Sequence, residues 1–324
     1  MSKLVDFIDR HDSFVVIQAE NPDGDSLGSA LGLEAIIAET GKSVQLYCPV
    51  EIPKYLRYVN GWDRVEADFP TQVAAAIIVD TSSSTLLSKT LDDPVAKHFL
   101  TDQPVLVVDH HAVVGGELTF DHDQLIDTEV VATGELIAKE VLKSKLKLPE
   151  DAATALTIAI LSDSLGLTTE ATTAASYRTI ADLVQHGAKP AEIESARREF
   201  MKKSADILAY KGRLIGRIEY HLDGRLALVH IPWEEIEAYS DQYNPSVLVL
   251  DEMRLVEGVD VAVAIKTYPD GKLTGKLRSN RPVSSQVAGF FGGGGHPYAA
   301  GFRIYESYDN MLPELVEATR KALS

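Results

Sequence analysis

In the first half of the chain, short runs of mostly β-branched residues stop at an acid or a polar turn. Stretches with apolar residues every three or four positions follow them. Residues 14–18 (FVVIQ), 43–48, 73–80 (VAAAIIVD) and the apolar part of 105–111 (VLVVDHH) read as strands, and a continuous apolar run marks a strand buried on both faces. Residues 3–12, 26–40, 52–59, 94–100 and 129–142 carry helical spacing, and Gly41 closes the second of these. Residues 152–161 (AATALTIAIL) read equally well as a buried helix or a buried strand. Strands alternating with helices predict an α/β domain built on a doubly wound, mainly parallel sheet with right-handed connections.

The rhythm changes after residue 175. Helical spacing runs on through a connector at 189–210, whose Arg197, Arg198, Lys202 and Lys203 read as a solvated face. Then come short alternating strands at 217–222, 226–232, 259–267 and 272–278, with turns at Asp223-Gly224 and Asp270-Gly271. Helices are expected at 244–256 and 311–323. The predicted organisation is a catalytic domain over 1–188, a helical connector over 189–210, and a smaller α/β domain with a mixed sheet over 211–324.

Composition narrows the partners. A chain of 324 residues with 45% hydrophobic content buries a sizeable core, and a net charge of −17 argues against binding long duplex nucleic acid. A small anion held in a local basic pocket remains compatible with that balance. The single cysteine, Cys48, permits no internal disulfide and reads as a small buried hydrophobe in a reducing compartment. No apolar stretch reaches membrane-spanning length, and the start lacks a basic region followed by an apolar run, so a cytoplasmic protein without membrane association is expected.

Asp23 and Asp25, Asp80, Asp109 with His110 and His111, and Asp163 arise at the ends of four separate apolar segments. In a parallel sheet such ends share one edge, where ligands gather. Hard carboxylate oxygens with one or two imidazoles suit Mn²⁺ or Mg²⁺ better than a structural zinc. The implied chemistry is metal-assisted hydrolysis at phosphorus.

The segments NPDGDSLGS, IIVDTS, VVDHH and LSDS fall in the order of the four motifs of DHH phosphoesterases, and GGGGHPYAAG resembles the glycine-rich signature of their DHHA1 substrate domain. The DHH triplet alone is a weak signal. Five ordered motifs over nearly the entire chain are specific. Size and ending are similar to the nano-RNase (oligoribonuclease) and pAp-phosphatase branch of RecJ-like proteins rather than to the pyrophosphatase branch.

This resemblance implies two Mn²⁺ ions, with Mg²⁺ or Co²⁺ as alternatives. It makes Asp80 the bridging carboxylate, assigns Asp25, His110 and Asp163 to the second metal site, and places Asp23 in the first. It puts His111 beside the reacting phosphate and makes Asp109 the partner that orients a histidine. Arg278 and Ser279 match the family's phosphate-contacting pair, while Gly293, Gly294, Gly295 and His296 would border the substrate. Two departures stand out. The family's usual histidine four residues before Asp23 is Ala19, so the first site lacks its nitrogen and Glu20 or a water is left to take the place; the motif after Asp163 is SLGLTT.

The expected activity is therefore divalent-metal-dependent hydrolysis of short oligoribonucleotides or small nucleotides, such as nanoRNA, linear dinucleotides and pAp, by metal-activated water. The alternative is a catalytically weak, nucleotide-binding regulatory protein. A homodimer is compatible with the sequence.

Overall fold

The β-branched runs of the first half form one sheet in the computed structural model, which describes residues 2–111 and 116–324. The strands are β1 (Ser13–Ile17), β2 (Ser43–Tyr47), β3 (Val65–Glu66), β4 (Ala75–Val79), β5 (Val105–Asp109) and β6 (Asp123–Ile126). They pair in parallel in the order β3-β2-β1-β4-β5-β6. The intervening helices are α1 (Lys3–Arg10), α2 (Gly24–Ala38), α3 (Ser88–Asp92), α4 (Pro94–Asp102), α5 (Thr133–Leu142), α6 (Glu150–Asp163), α7 (Ala174–Gln185) and α8 (Pro190–Phe200). Alternate residues of β1 explain why its run is apolar throughout. Phe14 and Val16 join a core with Leu27, Leu136 and Leu156 of α2, α5 and α6, while Val15 and Ile17 join a second core with Ala96 and Leu100 of α4. Helices on both faces make the sheet doubly wound.

Residues 152–161, open between helix and strand in the sequence, lie within the helix α6. Gly24, Gly28 and Gly32 form a stripe at every fourth position of α2 that packs on it. A Cβ on Gly28 would stand 2.5 Å from the Ala155 carbonyl oxygen, and one on Gly134 of α5 would stand 2.4 Å from the Ala159 methyl. Three helices thus meet at close-packed contact, which fixes their ends relative to one another. Residues 52–59 differ from expectation: Pro53 and Gly61 bracket only a short 3₁₀ turn, Lys54–Leu56. Part of the stretch after His111 lies outside the described residues.

The chain divides into two compact units, 1–202 and 203–324; the division falls within the stretch read from sequence as a connector. The second unit contains α9 (Ala205–Ile215), β7 (Glu219–His221), β8 (Leu226–Ile231), α10 (Trp233–Tyr239), α11 (Pro245–Arg254), β9 (Val261–Thr267), β10 (Lys272–Ser279), α12 (Ser284–Phe290), β11 (Gly294–His296), β12 (Ala299–Tyr305) and α13 (Tyr308–Ala322). Its sheet runs β11-β12-β10-β9-β8-β7 and is mixed: β8 and β9 are parallel, the other pairs antiparallel. The strict alternation of β10 puts Lys272, Thr274, Lys276 and Arg278 on the open face and Leu273, Gly275, Leu277 and Ser279 on the core face. Among the described residues no helix is long and apolar enough to cross a membrane.

Candidate functional site

Chain order reverses direction across the first sheet between β1 and β4, which are neighbours flanked by β2 on one side and β5 on the other. The crevice at the carboxyl ends of such a pair is where open α/β sheets bind ligands. Asp80 leaves β4 there, Asp109, His110 and His111 leave β5, and Asp23 and Asp25 open α2 just after β1. Asp163 arrives differently, at the last turn of α6, so one carboxylate comes from a helix end rather than a strand end.

These elements bring together a tight group. Nε2 of His110 lies 3.3 Å from Asp163 Oδ2 and 3.7 Å from both Asp25 Oδ2 and Asp80 Oδ1. Ligating atoms of Asp25, His110 and Asp163 all fall within 4.8 Å of one another, as do those of Asp80, His110 and His111. Asp25 is fully buried and Asp80 nearly so. Burial first, and the Asp163 charge second, push the Asp25 carboxyl up to about 6. Burial and the Asp25 charge raise Asp80 well above the usual carboxylate range. Burial alone would depress the His110 imidazole, but Asp163 and Asp25 outweigh it and hold it above its ordinary value.

Carboxylates outnumber imidazoles at this site. The His110 Nε2 atom is buried and makes no hydrogen bond, although three carboxylates face it. Buried polar atoms are nearly always paired, so an orphaned nitrogen among carboxylate oxygens fits a divalent cation. Asp25, Asp80, His110 and Asp163 are the residues that could hold one. His111 fits less well as a ligand. Its Nδ1, 3.7 Å from Asp80 Oδ1, stands 2.9 Å from Asp109 Oδ1, the geometry of an imidazole N–H donating to a carboxylate. Asp109 is fully buried and also accepts the His111 backbone N–H at 3.1 Å. Burial would raise its pKa, but these donors from His111 outweigh it and keep Asp109 below the usual range. His111 itself is more than half exposed.

Several supports had no part in the sequence reading of the site. The backbone N–H groups of Thr133 and Gly134, at the start of α5, donate to Asp25 at 2.7 and 2.9 Å, and the Ser29 hydroxyl donates to it at 3.0 Å. The Thr133 hydroxyl donates to Asp80 Oδ1 at 3.1 Å. Glu135 in turn accepts the Val131 N–H and the Ser176 hydroxyl, tying down the turn before α5. The residues Thr133-Gly134-Glu135 at a helix start were the available signal. Asp80 also adopts a left-handed backbone, φ 61°, which a non-glycine residue holds at a cost of order 1 kcal/mol.

Asp23 and Glu20 both hold hydrogen-bond donors of neighbouring elements, Asp23 while its charge still acts on Asp80 and Asp163 of the centre. Asp23 caps α2: its Oδ1 accepts the N–H groups of Asp25 and Ser26, each at 3.0 Å, and it belongs to neither ligand group among the described residues. Ala19 is buried, and Glu20, which stood to replace the missing nitrogen, turns its carboxylate to the Ser88 hydroxyl and the Lys89 N–H at the start of α3.

In the second unit, Arg278 lines a groove of about 820 Å³ together with Lys266, Lys276, Arg303, the glycine run and His296. Among the described residues none of the lining is acidic, which makes it a local basic site in an acidic chain. Burial lowers the pKa of both lysines, helped by Lys276 at Lys266 and by Arg278 at Lys276. Ser279 is not in the groove. Strand alternation turns it to the core, where its Oγ lies 2.7 Å from that of Ser284 and donates to the Arg281 carbonyl at 2.6 Å. Gly294 is open, but Gly293 and Gly295 are demanded by the backbone: a Cβ would come within 2.2 Å of the Gly301 oxygen and 2.6 Å of the Ala299 oxygen.

Comparison with known proteins fits this division. Residues 13–160 match the DHH family, N-terminal domain, and residues 240–324 match the DHHA1 domain. The chain is 28% identical over 306 residues to the bifunctional oligoribonuclease and PAP phosphatase NrnA of Thermus thermophilus, covering 94% of this chain and 88% of that one. An exopolyphosphatase-related protein from Bacteroides fragilis has the same fold, with a TM-score of 0.83 at 20% identity over 99% of this chain and 94% of the other. RecJ from Thermus thermophilus, solved in complex with Mn²⁺, gives a TM-score of 0.51 at 14% identity over 99% of this chain and 53% of its own.

Proposed function

Because the chain belongs to the DHH family, with a DHH N-terminal domain followed by a DHHA1 domain, we propose that it is a divalent-metal phosphoesterase acting on short oligoribonucleotides or small nucleotides. The observation that carries this reading is the buried, unpaired His110 Nε2 among the carboxylates of Asp25, Asp80 and Asp163. A divalent ion held there supplies Lewis-acid stabilisation of phosphoryl charge and makes water acidic enough to act at neutral pH. A hard divalent ion, Mn²⁺ or Mg²⁺, suits this carboxylate and imidazole donor set.

The remaining roles belong to the chain itself. Thr133, Gly134 and Ser29 hold the carboxylates of Asp25 and Asp80 in one orientation, as hydrogen-bonded outer partners do in metal sites. His111, oriented by Asp109 through Nδ1 and open to solvent, presents Nε2 to the phosphate ester and, as the imidazolium, donates a hydrogen bond or proton from that atom. Arg278, Lys276 and Lys266 bind substrate phosphate in the second unit, the arginine through its planar fork. The relatives named as oligoribonuclease and PAP phosphatase support the small-nucleotide substrate class.

Ala19 favours a second reading, a regulatory protein that binds nucleotide without turning it over, since the position offers no ligand and Glu20 is engaged elsewhere. Chelator-stripped protein incubated with RNA dinucleotide and with pAp, then with Mn²⁺, Mg²⁺ or Co²⁺ restored, separates the two. The phosphoesterase reading expects hydrolysis only after metal is restored. Binding without hydrolysis under all three ions would establish the regulatory one.

A further inference from the structure

The first unit has a concavity beside its carboxylate centre whose chemistry is the opposite of the centre's. A groove of about 680 Å³ runs between the Lys54–Leu56 turn, the carboxyl end of α6 and α8, lined by Tyr55, Tyr58, Leu161, Leu165 and Met201, with Arg197 at one side. Both of its walls are anchored next to the centre. Ser162, also in the lining, precedes Asp163 and packs on Gly24, which lies between Asp23 and Asp25. The Tyr55 hydroxyl donates to the Pro22 carbonyl, one residue before Asp23, at 3.4 Å.

Two of these apolar side chains are left in water. Leu165 is 73% exposed and Tyr55 49%. Leu165 and Leu167 also hold left-handed backbones, φ 49° and 66°, around Gly166, in the segment SLGLTT where the chain departs from its family's pattern. Strained non-glycine residues gather at ligand sites. A phosphate is not the natural occupant. The Arg197 guanidinium donates to Glu194 at 2.7 and 3.0 Å, so its charge is already matched. What remains is a mostly apolar groove with the aromatic rings of Tyr55 and Tyr58, which suits an uncharged planar group.

We propose that this groove takes the nucleobase of the nucleotide whose phosphate lies at the Asp25–Asp80–His110–Asp163 centre. The inference rests on the phosphoesterase reading above. A base stacks on Tyr55 and against Leu165, and recognition is tolerant of base identity because stacking uses the ring face rather than its edge.

Calorimetric titration of the full chain, in Mn²⁺, with adenosine 5′-monophosphate and with ribose 5-phosphate tests this. The wild type should bind the nucleotide about tenfold or more tightly than the sugar phosphate, the scale of one base–aromatic stack. That ratio should collapse toward one in Tyr55→Ala and in Leu165→Asn, and persist in Tyr55→Phe, which loses only the hydroxyl. Asparagine tolerates the left-handed backbone, and Leu165 is exposed, so this variant keeps the fold. A ratio of one in the wild type, or a ratio unchanged in both groove variants, would overturn the proposal. RNA dinucleotide hydrolysis by the wild type, measured alongside, tests the phosphoesterase reading separately, since the binding ratio decides the base site whether or not turnover occurs.

Discussion

The hydroxyl of Thr133 donates a hydrogen bond to the Asp80 carboxylate at 3.1 Å, joining the start of α5 to the end of β4. The same residue's N–H donates to Asp25 at 2.7 Å, so one threonine orients two carboxylates of the centre. Thr133→Val keeps the shape and the backbone donor but removes the bond to Asp80. It should weaken Mn²⁺ binding roughly ten- to a hundredfold, the usual effect of losing an outer hydrogen bond in a metal site. Titration of the ion into metal-free protein measures this, and an unchanged affinity would remove Thr133 from the site's supports.

Gly28 tests the helix packing that sets the site. Alanine is the better helix former by about 1 kcal/mol, yet its Cβ would stand 2.5 Å from the backbone oxygen of Ala155 and 2.9 Å from the Ala159 methyl. A backbone oxygen has no rotamer to escape into, so overpacking wins, and Gly28→Ala should destabilise the chain by roughly 1–3 kcal/mol. Thermal or urea unfolding reads the sign; a gain in stability would mean that α2 and α6 are not held this closely.

Asp25 and Asp80 also give the metal-free protein a direction of pH dependence. Their carboxyls titrate above the ordinary value of 3.8, Asp25 at about 6 and Asp80 well raised, both chiefly through burial. The native state therefore binds more protons than the unfolded chain does. Their stabilising contribution is complete below about 3.8 and is lost as pH rises through 6 and beyond. Melting temperature in chelator should fall across that window through these two groups, and added Mn²⁺ should reverse the fall by taking the place of the protons. Asp25→Asn should flatten the metal-free decline. A variant that follows the wild-type curve would sink this account.

Much of this arrangement could be read from the chain because its signals are local. The apolar runs ending in Asp80 and Asp109 mark buried parallel strands, and α2 follows from the acidic turn before it. The alternation of β10 likewise places Arg278 and Ser279 on opposite faces, information present in the sequence but overridden by reading the two as a pair. What escaped depended on contacts between distant segments. Thr133 reaches Asp80 and Asp25 only after α5 packs on α6, and the Glu20 carboxylate finds α3 across 68 positions. The glycines at 293 and 295 line the groove, and the fold gives a second reason for them that the sequence does not show, a backbone oxygen where each Cβ would stand. Asp163 is intermediate: its residue type was visible, but the uniformly apolar run before it fits a buried helix as well as a strand.

The central claim is that the cluster around His110 hydrolyses phosphoesters, and Asp80 is the residue on which it turns. The most direct measurement is cleavage of 5′-labelled RNA dinucleotide in Mn²⁺ by the wild type and by Asp80→Asn, with circular dichroism confirming that the variant is folded. Cleavage by the wild type that is lost in the folded variant is the predicted result. Cleavage at the wild-type rate without the Asp80 carboxylate would contradict the account.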